Sequence, residues 1–171
     1  MNIYFADENF YKLECQDGLL YITIKAIYHG SSSEGTDIKF ILDTGAFMTV
    51  ISRGTAMRRG FDKLPKTATT LFGFGGGIDV DYVRVPGLRI LDKLILDVPV
   101  LIPHDMYRTH PFTGEKKQMP EVLGLNVLNY YNYYIDSENN KLYLNENQSP
   151  IFLRPELESG QIFALADNSN E

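Results

Sequence analysis

The amino-acid sequence predicts an all-β domain carrying one or two short helices, and three observations lead there. Short runs rich in Val, Ile and Tyr recur along the 171 residues, and turn-forming Gly, Asp, Asn and Ser separate them. Trp is absent, whereas there are 11 Tyr and 10 Phe, residues that favour strands. With 44% of residues hydrophobic, a chain of this length can bury roughly 70% of its unfolded surface in one core.

The elements follow in order. Residues 10–15 and 19–29 are β-favouring runs joined by Asp17-Gly18, the signature of a tight hairpin. Ser and Gly fill a loop over residues 29–37. Residues 38–42 form a short apolar strand that runs straight into Asp43-Thr44-Gly45, and a second apolar stretch follows at 47–51. The acid is therefore expected in a turn between two buried strands. Ser52 can cap a short helix through Arg59, which Gly60 can end in the left-handed conformation. Strands are expected at 68–72 and 78–85, bracketing Gly73, Gly75, Gly76 and Gly77, with further strands at 88–90 and 94–102.

Residues 103–120 are polar and lack periodicity, which predicts a long exposed loop. Val122-Leu123-Gly124 leads into a short helix ending near Tyr130. Residues 131–136 and 141–145 then make a hairpin turning at 137–140. From residue 146 onward prolines, acids and Asn accumulate, although 151–153 and 162–165 are apolar enough to dock. The expected organisation is one domain over residues 1–145, its core at 20–145, and a loosely attached tail at 146–171. No internal repeat is present, and no second Asp-Thr-Gly or Asp-Ser-Gly occurs.

The formal charge of -6 is spread along the chain, and Arg58, Arg59, Lys116 and Lys117 make only short basic spots, so no nucleic-acid partner is expected. The single cysteine, Cys15, and a start (MNIYFADENFY) without basic or apolar signal character point to a reducing, cytoplasmic setting. No apolar run approaches the roughly 20 residues of a bilayer span, and no basic amphipathic helix offers an anchor, so no membrane role is expected.

Three segments carry the chemistry: FILDTGAFMTVIS at 40–52, TTLFGFGGGIDV at 69–80 and VLGLNVL at 122–128. In this order and spacing they resemble the retropepsin-like aspartic proteases, single-domain dimeric enzymes with bacterial and cellular members. The likeness spans roughly residues 20–145, and the closing YYIDSENNKLYLN is similar to the strand-turn-strand that ends many cellular members. The resemblance implies a closed acid-protease barrel with a flap hairpin, a homodimer acting on peptide or protein substrate, and neither cofactor nor metal. It implies that Asp43 is the catalytic acid, that Thr44 bonds across the dimer axis and that Gly45 lets the backbone approach the carboxylate. Ala46, Phe72, Gly73, Phe74, Gly75 and Gly76 would meet substrate, with Phe72 and Phe74 on the underside of the flap. Val122, Leu123 and Gly124 would support the acid loop, Gly124 packing beneath it where the family threads that loop in the shape of the letter psi. Retroviral members carry an acid and an Arg where Phe47 and Leu125 stand here.

The chemistry explains the need for two acids. One carboxylate deprotonates water while the other protonates the carbonyl oxygen, and no covalent intermediate forms. Two charges about 3 Å apart at an effective dielectric of about 20 repel by about 5 kcal/mol, or roughly 4 pKa units, so the pair holds one shared proton. One acid turn per chain then requires two chains.

Other readings compete. Asp-Thr-Gly alone is an ordinary Asx turn, and its apolar flanks and the later Val-Leu-Gly set it apart. The glycine cluster lacks the Lys-Ser/Thr of a P-loop, and Ile78 occupies the place of a dinucleotide fingerprint's third glycine. His104, Asp105 and His110 lack zinc-site spacing and read as surface residues. Tyr130, Tyr131, Tyr133 and Tyr134 read as packing residues. An idle dimer that binds extended peptides, and a monomeric structural domain, are the rival functions.

Overall fold

The computed structural model describes residues 10–28, 35–73, 76–109 and 113–146. Residues 147–171 of the predicted tail and the residues 29–34, with His110, lie outside them, whereas Glu146, expected to begin the tail, ends the last strand. The Asp17-Gly18 turn has φ of 53° and 77°, the two left-handed residues that a two-residue hairpin of the primed type needs. It joins β2 (Glu14–Gln16) to β3 (Leu19–Ile27), Gln16 opposite Leu19.

The expected first run is not one strand. It breaks at buried Leu13, whose N–H donates to Asn140 O at 2.7 Å. β1 (Phe10–Lys12) pairs instead with the last strand, β12 (Lys141–Glu146), which is also paired with β11 (Tyr131–Asp136). Two sheets thus share one apolar run, and alternation alone does not reveal where a chain changes sheets.

The larger sheet is built on β3 and β4 (Thr36–Leu42), antiparallel from Tyr21 opposite Ile41 to Ala26 opposite Thr36. Ile22, Ile24, Ala26, Ile38 and Phe40 point into the core while Thr23, Lys25 and Lys39 point out, the period-two pattern of a half-buried sheet. The helix α1 (Arg53–Arg59) forms as expected. Ser52 Oγ accepts from Thr55 N–H at 3.3 Å, and Gly60, at φ 72°, closes the C-terminus by donating to Ala56 O and Met57 O. A 3-10 turn, Phe61–Lys63, buries Phe61.

Next come β5 (Lys66–Gly73), β6 (Gly76–Ile90) and β7 (Lys93–Pro103). The sequence predicts a break between residues 85 and 88, yet β6 runs through it. Val85 lies opposite Val98 and Gly87 opposite Leu96, with no shift of register. Pro86 itself belongs to no ladder, and it stands where β6 exchanges one neighbour, β5, for another, β3. A proline is tolerated where no sheet bond depends on its missing N–H.

The expected loop at 103–120 contains a small hairpin, β8 (Tyr107–Thr109) against β9 (Lys116–Gln118). All six strand residues are exposed, so no apolar alternation marks them. The second apolar stretch, 47–51, is likewise not a regular strand. Only Val50 makes bridges, to Leu101 and to Val122.

The main core joins these strands to Ile51, Ala56 and Phe61 near α1 and to Val127 and Leu128. A smaller cluster unites Met48, Val50, Val80 and Leu101 with Leu71, Ile78, Tyr82 and Val122.

Candidate active site

The two residues before Asp43 and the two before Gly124 run side by side. β10 (Val122–Leu123) is parallel to the end of β4, Val122 opposite Ile41 and Leu123 opposite Leu42. Ile41 N–H donates to Glu121 O at 2.8 Å and Asp43 N–H to Leu123 O at 3.2 Å. On its other side Val122 exchanges both backbone bonds with Val50, at 2.8 and 2.9 Å. Farther out, Ile51 N–H donates to Leu101 O and Leu101 N–H to Thr49 O, each at 2.9 Å. β10 is therefore inserted between the strand that enters the acid turn and the segment that leaves it.

That insertion dictates Gly124. A Cβ there would lie 2.6 and 2.7 Å from the carbonyl carbon and oxygen of Met48 and 2.9 Å from Ala46 O. These are backbone atoms with nowhere to go. The helix α2 (Leu125–Leu128) begins at this point, and its first N–H groups need acceptors. Leu125 N–H donates to Ala46 O at 2.8 Å and Asn126 N–H to Phe47 O at 3.1 Å, so the acid loop itself caps the helix.

A buried polar network completes the support. Thr49, fully buried, accepts from Gly124 N–H at 3.1 Å through its hydroxyl. Its hydroxyl and N–H donate to Asn126 Oδ1 at 2.9 and 2.7 Å, and Asn126 Nδ2 donates to Pro99 O at 2.8 Å. Next to β10, Glu121 accepts from Ser52 Oγ at 2.6 Å and Thr55 Oγ1 at 2.5 Å, tying α1 to the same place. Thr49, Glu121 and Asn126 are structural supports of the acid turn that sequence reasoning did not single out. The one available signal was that each is a hydrogen-bonding residue within or beside an apolar stretch.

Asp43 itself is partly buried, while Thr44 and Gly45 are exposed and Ala46 is partly buried. Asp43 Oδ1 accepts from Gly45 N–H at 2.8 Å, and Ala46 N–H donates to Asp43 O at 3.3 Å. A Cβ on Gly45 would stand 3.2 Å from that same Oδ1, so glycine keeps the carboxylate in contact with the backbone.

The glycine-rich segment is the end of the β5–β6 hairpin. Leu71 lies opposite Ile78, Phe72 opposite Gly77 and Gly73 opposite Gly76. Phe74 and Gly75 lie outside the described residues. Leu71, Ile78 and Val80 pack with Met48 and Val50, so one face of the hairpin leans on the segment that leaves the acid turn. Phe72 projects from the opposite face and is 49% exposed. Its ring carbon Cε1 lies 3.1 Å from where a Cβ on Gly77 would stand.

A cavity of about 370 Å³ lies among Lys39, Thr55, Arg58 and Glu121 and does not include Asp43. His104, expected at the surface, is exposed, and its Nε2 lies within hydrogen-bonding distance of Asp81 Oδ1, at 3.0 Å. Among the described residues no group of three or more His, Cys, Asp or Glu is arranged to hold a metal. No helix among them is long and apolar enough to cross a membrane.

The acid turn wraps around a parallel strand and its glycine, and a family profile described as aspartyl protease matches residues 31–127, more than half of the chain. This chain belongs to the aspartyl protease family. The fold agrees: a retropepsin-like aspartic protease from Rickettsia conorii superposes with a TM-score of 0.55 at 21% identity, over 80% of this chain and 89% of that one. At that identity the likeness establishes the fold, which is all-β and retropepsin-like. EIAV protease, solved with an inhibitor, aligns more loosely, with a TM-score of 0.45 at 18% identity over 63% of this chain and 83% of that one. A search of the curated proteins gives no match. Within the larger sheet of this family member, the ladders run β10-β4-β3-β6-β5, and none joins β10 to β5 among the described residues.

Proposed function

We propose that this aspartyl protease family member is an endopeptidase that works as a homodimer, each subunit supplying Asp43 to a shared pair of carboxylates. One observation carries the proposal. The acid sits on a turn whose backbone is held from both sides, while Thr44 and Gly45 beside it are uncovered and the carboxylate's one hydrogen bond among the described residues comes from Gly45. A fixed acid with a bare neighbouring surface suits assembly against a copy of itself on a two-fold axis.

In that assembly one Asp43 takes a proton from water and the other gives its proton to the carbonyl oxygen of the peptide. Thr44 bonds across the axis, and Gly45 and Ala46 line the floor. Phe72, Gly73, Phe74, Gly75 and Gly76 form the flap that covers an extended substrate and bonds to its backbone. Val122, Leu123 and Gly124 hold the acid in place before substrate arrives, as preorganised catalysis requires. The substrate class is peptide or protein, cleaved without a cofactor, and the catalytic domain ends near residue 145.

Asp43→Asn tests the reading. Cleavage of a diverse peptide library between acidic and neutral pH should vanish while the dimer mass, measured by sedimentation, stays unchanged. Cleavage that survives the substitution would remove Asp43 from the mechanism.

A further inference from the structure

Asp81 is the one charged side chain that is buried among the described residues, at 6% exposure. An ionised carboxylate withdrawn from water persists only if it is paired and hydrogen-bonded. Asp81 has two cationic partners and a histidine hydrogen bond, from three directions. Arg53, at the start of α1, reaches Oδ2 at 3.1 Å, and Lys66, at the start of β5, reaches the same oxygen at 3.2 Å. His104, just beyond β7, meets Oδ1 at 3.0 Å. Burial opposes ionisation most strongly, but the bonds from His104, Lys66 and Arg53 together hold this carboxyl below the usual aspartate range.

The position in the sheet gives the cluster its meaning. β7 accompanies β6 from Ile90 up to Val80, opposite Pro103, and goes no farther. Beyond Val80 toward the tip, β5 is the only ladder partner of β6 among the described residues. A two-stranded ribbon is marginal by itself, so the place where it leaves the sheet decides how it is held. Asp81, opposite Ala68 on β5 and Ile102 on β7, stands at that place. His104 reinforces it by donating its N–H to Asp79 O at 2.9 Å. Val80, the adjacent residue, projects to the other face and packs with Met48 and Val50 behind the acid turn.

We infer that Asp81 is a positioning residue: with Arg53, Lys66 and His104 it clamps the root of the β5–β6 hairpin to α1 and to the end of β7, and so sets where the flap pivots. The inference rests on the reading of this hairpin as a flap. The clamp confines motion to the ribbon beyond Asp81 and keeps the pivot in register with the acid turn, which residues 46–52 join to α1.

Hydrogen exchange of the dimer without substrate tests the clamp. In Asp81→Asn, amides of residues 69–73 and 76–80 should exchange about tenfold faster or more, while those of β3 and β4 keep wild-type rates. The paired variant Lys66→Gln with His104→Gln removes two partners from the exposed side and should move the same amides by a smaller factor. If it leaves them unchanged, or if exchange rises equally throughout the sheet, the clamp is refuted, whether or not Asp81→Asn folds. In the enzyme assay the same variants should raise KM several-fold with little change in kcat. Because exchange is read without substrate, a loosened ribbon in a chain that cleaves nothing would sink the protease reading and keep the clamp. Normal exchange in an active variant would do the reverse.

Discussion

The acid turn and the β5–β6 hairpin lie against each other, yet they are held by different means. Around the turn, backbone groups of Asp43, Ala46, Phe47, Thr49, Val50 and Ile51 are bonded to β7, β10 or α2, or within the turn, and a glycine leaves no room for adjustment. The hairpin, beyond Val80, has no ladder but the one between its own strands among the described residues, a half-exposed Phe72, and at its root the contacts of Arg53, Lys66 and His104 with Asp81. Backbone bonds between segments distant in sequence fix geometry to tenths of an ångström, whereas a ribbon attached by its root keeps freedom at its end. A hydrolase needs both, a rigid acid and a cover that opens.

The same change at one glycine in each region should expose the contrast most strongly. Gly124→Ala puts a methyl group against the Met48 carbonyl, and should cost about 3 kcal/mol or more in urea unfolding or prevent folding. A loss below about 1 kcal/mol would mean that the acid loop yields to the added methyl group.

An intermediate effect is expected from acid. Because the folded Asp81 binds its proton less readily than the unfolded chain, its contribution to stability is whole above the usual aspartate value of about 3.9. It is lost as pH falls through the lower folded value. The stability difference between wild type and Asp81→Asn should therefore be largest near neutrality and shrink below about pH 4. Unfolding curves at both pH values check this, and a gap that stays constant contradicts it.

The smallest effect belongs to Gly77→Ala. The new Cβ would stand 3.1 Å from Phe72 Cε1 and 3.3 Å from Thr70 Cγ2. Both are side-chain atoms, and Phe72 is free to swing outward, so stability should fall by under about 1 kcal/mol. A loss equal to that of Gly124→Ala would erase the distinction between the two regions.

The parts of this architecture that local chemistry writes were legible in the sequence. Asp17-Gly18, the Ser52 cap, Gly60 and the hairpin of β11 and β12 each depend on a few adjacent residues, and each stands where it was expected. The position of Asp43 at the end of an apolar strand was readable for the same reason. What escaped was set by distant partners. Leu13 divides its run because β12 claims one half, and residues 47–51 become a bridged segment because β10 is parallel to β4 some 80 positions earlier in the chain. Asn126 and Asp81 look like surface polar residues until Thr49 and Arg53 are brought to them. The β8–β9 hairpin, exposed on both faces, carries no hydrophobic pattern to read.

The most direct test is a crystal structure of the assembled protein bound to a transition-state mimic of peptide hydrolysis, in which the separation of the two Asp43 carboxylates is measured. A shared dyad places a two-fold axis between them and oxygens about 3 Å apart, sharing one proton. Carboxylates held beyond hydrogen-bonding reach, or a protein that binds the mimic as a single chain, would contradict it.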